Sequence, residues 1–207
     1  MVLSHHLSIK TTSYFKKHNI IDSTYLDEYN YCFEYLYDLL IYNTSLIVLG
    51  FICNDVPGSI IYILCMSALK SVAGGFHARN RFTCSILSYS LFFIVILLYK
   101  PLYNIAPFMK NNLPLSLELL FFIPAVIIMI LSPVENINKH FSITEKKRKK
   151  QYTFMLLTLI TIVYGGLTFK TINQLCFLIT LCLYITVANQ TIGILVNKTN
   201  TNGDLKK

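Results

Sequence analysis

His77 and Cys84 stand seven residues apart in "GGFHARNRFTC", the stretch covering residues 74–84. An imidazole and a thiol are the two parts of a nucleophile–base pair. The thiolate attacks a carbonyl carbon, and the imidazole takes the thiol proton and later protonates the departing amine. Cys84 is expected in the first turn of a helix, where the positive end of the macrodipole, with Arg79 and Arg81 nearby, favours the thiolate. Asn80 or Thr83 would cap that helix, leaving backbone N–H groups near Cys84 that can hold an oxyanion. On one continuous helix His77 and Cys84 would share a face but lie about 10 Å apart along the axis, too far for proton transfer. Gly74 and Gly75 lift this constraint, because paired glycines adopt backbone conformations that end a helix and let the chain fold His77 back toward Cys84. Each feature alone has an inert explanation: a solvated histidine, a packed thiol, a helix terminator. Their combination is what points to a catalytic thiol.

Such a pair needs a third group to hold the imidazole. Glu34 and Asp38, four residues apart and so on one helix face, are candidates to orient His77 or to neutralise Lys70. A metal centre is disfavoured because no second His or Cys stands at ligand spacing in this stretch, and no cofactor is expected.

The elements that must position these residues are membrane helices. The chain has 207 residues, 54% of them hydrophobic, with a mean hydropathy of +0.54, too apolar for a wetted surface. At about 20 apolar residues per span, the length allows about five or six spans and no separate soluble domain. Apolar runs cover residues 34–53, 58–69, 84–99, 114–132, 152–169 and 175–196. The second, of 12 residues, is either extended by 70–73 or a re-entrant half-span. Residues 1–33 interleave Phe15, Ile20, Ile21, Tyr25, Tyr29 and Phe33 with Lys and His, as an amphipathic interfacial helix does. The expected class is therefore an all-α integral membrane protein with about six transmembrane helices. Its divisions are an interfacial segment (1–33), a polytopic membrane domain (34–196) and a cytoplasmic tail (197–207). The first thirty residues lack the apolar core and small-residue cleavage site of a secretory signal.

Charge sets the expected orientation. With the N-terminus inside, segments 1–33, 70–83, 133–151 and 197–207 are cytoplasmic and hold 15 of the 18 lysines and arginines, as the positive-inside rule requires. This puts the His77–Cys84 stretch at the cytoplasmic membrane face. The net charge of +8 thus reads as topology and lipid contact, and not as nucleic-acid binding. The run Glu145-Lys146-Lys147-Arg148-Lys149-Lys150 suits a membrane anchor in contact with anionic lipid, and more weakly an attraction for an acidic partner. Four of the six cysteines, Cys53, Cys65, Cys176 and Cys182, lie in or at the ends of apolar runs, where thiols pack as small hydrophobes. A non-catalytic transporter or membrane scaffold is the main alternative, but Glu34, Asp38, Lys70 and Glu118 fall near span ends and not at mid-membrane. A structural metal-binding membrane protein is a third reading.

The stretch "LKSVAGGFHARNRFTC" resembles the signature of the AgrB (accessory gene regulator B) family, membrane cysteine endopeptidases that process cyclic-peptide pheromone precursors in Gram-positive bacteria. That signature has a basic residue, Ala-Gly-Gly, an aromatic, His, Ala, and Cys seven residues after the His. "SPVENINKHFSITEKKRKKQ" is similar to the family's Pro-Val-x-x-x-Asn-Lys loop with its Lys-rich run, and "VANQTIGIL" is also family-like. Lys70 stands where the family more often has Arg, which keeps the charge and loses the planar two-pronged donor.

The resemblance implies that Cys84 is the nucleophile and His77 the base, with Glu34, Lys70, Gly74 and Gly75 in support. The implied substrate is an AgrD-like precursor: an amphipathic leader, a core with a Cys or Ser, and an acidic tail. Removal of that tail through a thioester would lead to a thiolactone or lactone ring, for quorum sensing and virulence regulation. Arg79, Arg81, Lys146, Lys147 and Arg148 would attract the acidic tail weakly. The family further suggests a homodimer in the cell membrane.

Overall fold

Asp22 begins the ordered path into the membrane helices. Its carboxylate accepts a hydrogen bond from the Thr24 N–H at 3.1 Å and caps a 3₁₀ turn, Ser23–Tyr25; that backbone bond holds the carboxyl below the usual carboxylate range. A computed structural model describes residues 2–76, 81–105, 113–135, 141–169 and 172–204. Among them are seven α-helices: α1 (Val2–Lys17), α2 (Leu26–Ile52), α3 (Val56–Ala73), α4 (Arg81–Ile105), α5 (Leu113–Leu131), α6 (Ile143–Phe169) and α7 (Asn173–Asp204). The expected all-helical membrane class is what is found. Five helices are long and apolar enough to cross a bilayer: those spanning Ser23–Ile52, Val56–Ala73, Phe82–Ile105, Ile143–Phe169 and Asn173–Lys198; Glu118–Leu131 is a shorter apolar helix. Large apolar side chains on their outer faces, such as Leu64, Ile94, Ile130 and Ile162, are exposed, as lipid-facing residues are.

Several boundaries differ from the hydropathy reading. The short second run becomes α3, an 18-residue helix rising about 27 Å, enough for a span without a re-entrant turn. Helix α6 starts at Ile143, nine residues before the apolar run, so the basic stretch is its first turns. Lys, Arg and Glu are good helix formers, and Ser142 and Glu145 form a reciprocal capping box: Ser142 N–H donates to Glu145 Oε2 at 2.9 Å and Glu145 N–H to Ser142 Oγ at 3.3 Å. Hydropathy marks where a helix enters lipid, not where it begins.

The chain forms two compact units, Met1–Ile52 and Cys53–Lys207. In the first, α1 turns Ser4, Ser8 and Thr12 inward, all buried, and leaves Leu3, Ile9 and Tyr14 exposed. Small side chains at four-residue spacing let two helices approach closely. The Ser8 and Thr12 hydroxyls donate to the helix's own carbonyls, at 2.8 and 2.9 Å, so burying them leaves no unmet bond there. Thr11 Oγ1 meets the Tyr37 hydroxyl at 2.6 Å, and Phe15 packs on Phe33 with ring centres 5.4 Å apart.

In the second unit α7 packs against α3, α4, α5 and α6. Its core includes Tyr62, Leu69, Phe92, Phe121, Leu178 and Leu183. At the N-terminal end of α3, buried Asp55 accepts from the Gly58 N–H at 3.3 Å, from the Tyr99 hydroxyl at 2.6 Å and from Lys100 Nζ at 3.2 Å.

Candidate active site

The C-terminal end of α3 is built differently. Helix α3 stops at Ala73, and Gly74 (φ 74°) and Gly75 (φ 140°) take conformations that side chains disfavour. Beyond backbone freedom, both positions need empty space. A Cβ on Gly74 would strike the Val134 carbonyl oxygen, and one on Gly75 would strike the Asn189 side-chain amide.

Two distant segments close on this turn. Gly74 makes an isolated parallel bridge with Val134, whose N–H donates to Ala73 O at 3.0 Å. From α7, Asn189 O accepts from the Phe76 N–H at 3.1 Å, and Gln190 Nε2 donates to Ala73 O at 3.2 Å. A Cβ on Gly193 would lie 2.9 Å from the Phe76 nitrogen, so a glycine there lets the turn sit directly on the helix. The next residue, His77, lies outside the described residues, as do Arg79 and Asn80; Arg81 opens α4, but its side chain is likewise outside them.

Cys84 is the fourth residue of α4, in its first turn, and is half-buried. It is in no disulfide. Thr83, expected as a possible cap, is inside the helix. Lys70 Nζ reaches Ser88 Oγ at 3.5 Å; Ser88 is four residues after Cys84 and on the same helix face. An ammonium group therefore lies about one turn from the thiol's position along α4.

The basic start of α6 reaches the same turn. Lys149 Nζ donates to Ser71 O at 3.2 Å and stands 4.7 Å from the centre of the Phe141 ring. Lys146 pairs with Glu135 at 2.8 Å, and Ser132 Oγ meets Thr153 Oγ1 at 2.8 Å. Lys147 and Arg148 are exposed. Glu34 belongs to the other unit, where its carboxylate meets His5 Nδ1 at 3.2 Å. No three His, Cys, Asp or Glu side chains cluster as metal ligands among the described residues.

The three sequence stretches singled out for family likeness are thus the ones that meet: the Gly-Gly turn, the Pro-Val strip and the α7 segment around Asn189 and Gln190. Residues 8–194 match the model of the family described as AgrB, Accessory gene regulator B. The chain belongs to the AgrB family. It is accordingly a multi-pass membrane cysteine endopeptidase that processes the precursor of an autoinducing peptide, an AgrD precursor. The transporter and scaffold readings fall with that membership. Comparison with curated proteins and with solved structures gives no match. Sequence reasoning noted the α7 stretch of this AgrB protein but gave it no role; the signal available was a glutamine inside an apolar run, which needs a polar reason to be there.

Proposed function

We propose that this AgrB protein removes the C-terminal tail of its precursor through a thioester on Cys84, with His77 as base and acid. The observation that supports this reading most is the pinning of the Gly-Gly turn one residue before His77, beside a helix that carries Cys84 in its first turn. The Cys84 sulfur bonds to the carbonyl carbon at the end of the core, the C–N bond to the tail breaks, and the tail amine leaves with the proton carried by His77. A Cys or Ser side chain of the core then attacks the thioester carbonyl. Its proton passes to His77, the Cys84 thiolate leaves, and the core is released as a thiolactone or lactone. Membrane depth keeps water from the acyl-enzyme.

Lys70 favours the thiolate, and Glu34 is a supporting carboxylate. Arg79, Arg81, Lys146, Lys147 and Arg148 draw the acidic tail to the inner face. Both termini are cytoplasmic, and the protein works as a homodimer in the lipid bilayer on its precursor peptide.

Cys84→Ala inserts normally and releases no tail, read by mass spectrometry on enzyme mixed with precursor; normal release would overturn the thiol mechanism. For the topology, single cysteines at Ser71 and Asn138 resist an impermeant thiol reagent in intact cells, and labelling of either from outside refutes the inside placement.

A further inference from the structure

Helices α1 and α2 of the first unit pack side by side, and the turn between them is fixed by its own backbone. Asn19, at φ 53°, ends α1. The Ile20 N–H donates to Phe15 O at 2.9 Å and the Asn19 N–H to Lys16 O at 3.0 Å, the two bonds of a Schellman stop. Asp22 then caps the 3₁₀ turn that leads into α2, while Phe15 on Phe33 and Thr11 on Tyr37 tie the helices together. Lys16 is thereby held in the last turn of α1 and Asp27 in the first turn of α2. A cation at a helix C-terminus and an anion at an N-terminus are each favoured by the macrodipole, so each charge is supported by its own helix.

Between the two helices lies a cavity of about 210 Å³. Thr12, Ser13 and Lys16 line it from α1, and Asp27 and Asn30 from α2; Ile9 and Leu26 are its apolar walls. Asn30 Oδ1 is shielded from water and has no hydrogen-bond partner among the described residues, a costly state for an acceptor. One wall therefore suits an anion and the other a cation.

Depth along α2 says where such a ligand comes from. Asn30 and Asp27 precede residue 34, where the apolar run begins, by about 6 and 10 Å of helix. The polar layer on each side of a bilayer's hydrocarbon core is about 5–8 Å thick, so the cavity stands at the level of lipid head groups. Exposed Leu3 and Tyr14 on α1 suit the same layer.

We propose that this cavity holds the head group of a zwitterionic aminophospholipid of the phosphatidylethanolamine class. Lys16 and the Ser13 hydroxyl take the phosphate, and Asp27 takes the ammonium. A half-turn of the Asn30 amide brings its oxygen to the same N–H groups, and Ile9 and Leu26 meet the glycerol. Phosphatidylglycerol lacks the ammonium that Asp27 needs, and phosphatidylcholine carries the charge with no N–H to donate. The bound lipid staples the interfacial helix to the first span.

This site makes no use of the His77–Cys84 pair, so its readout is lipid binding and not tail release. Full-length protein in detergent is mixed with phosphatidylethanolamine, phosphatidylglycerol or phosphatidylcholine of the same acyl chains, and retained lipid is counted by native mass spectrometry. The wild type holds one phosphatidylethanolamine about fivefold more tightly than either other lipid, the scale of one charged contact near a surface. Asp27→Asn abolishes the preference, and Lys16→Gln weakens all three lipids alike. Both residues are exposed, so the helical content and melting point of the variants match wild type. Free phosphoethanolamine, which has no chains, competes only in large excess. Equal retention of the three lipids by wild type, an unchanged preference in Asp27→Asn or an unchanged affinity in Lys16→Gln overturns the site. Phosphoethanolamine that competes as well as the lipid overturns the lipid assignment. So does a precursor peptide that binds wild type and not Asp27→Asn while no lipid is retained, which would give the cavity to the precursor.

Discussion

The two ends of α3 are held by opposite means. At its N-terminus, side-chain charge does the work: Asp55 gathers the Gly58 N–H, the Tyr99 hydroxyl and Lys100, all fully met by one carboxylate. At its C-terminus almost everything is backbone: Ala73 O, the Val134 and Phe76 N–H groups and Asn189 O, around glycines that leave no room for side chains. Two of the described side chains take part, Gln190 on Ala73 O and Lys149 on Ser71 O. A satisfied charge cluster clamps helices and tolerates small shifts. A turn packed backbone to backbone has little slack, and the residue proposed above as the base, His77, follows it directly in the sequence.

This contrast predicts that the C-terminal end is the more sensitive in activity and the N-terminal end in stability. Gly74→Ala, at φ 74° and facing the Val134 carbonyl, displaces the following residues and cuts tail release about 100-fold while the protein still inserts. Near-normal release would break the comparison. Asp55→Ala leaves Tyr99 and Lys100 without their acceptor and costs about 2 kcal/mol, read as a lowered melting point in detergent. Tail release per folded molecule stays within about twofold of wild type, as expected for a change remote from the reacting groups; a collapse there would make the clasp part of the active site. Tyr99→Phe removes one bond to a charged group and costs about 1 kcal/mol.

A third polar cluster, His5 with Glu34, sharpens the picture from the other unit. His5 is more than half exposed, so His5→Ala alters stability by less than about 0.5 kcal/mol and leaves acylation of Cys84 unchanged. Glu34→Ala slows acylation, and Glu34→Gln slows it less because a hydrogen-bonding partner remains. Equal and negligible effects of His5→Ala and Glu34→Ala would reduce Glu34 to half of a surface pair.

Much of this was legible in one dimension. Runs of apolar residues had to become membrane helices, because unpaired backbone groups cannot be left in lipid. The His77–Cys84 spacing and the glycines before it implied a turn, because one continuous helix would hold the pair apart. Helix α6 was misjudged at its start, since hydropathy says nothing about a capping box formed by Ser142 and Glu145 in a charged segment. The contacts of Val134, Asn189, Gln190 and Gly193 were not legible, although the stretches that hold them stood out for their family likeness.

The reason is the range of the interactions concerned. Hydropathy, charge placement and the spacing of two reactive side chains are properties of neighbouring residues, so the sequence by itself determined a helical membrane protein with a cysteine seven residues after a histidine and two glycines before both. Which carbonyl Gln190 binds depends on two helices meeting across 117 residues of chain, and no local pattern encodes that approach. Only the tertiary structure decided that the Pro-Val strip and α7 close on Ala73, Gly74 and Phe76. The backbone of a helix end must find partners somewhere, and packing alone selects which.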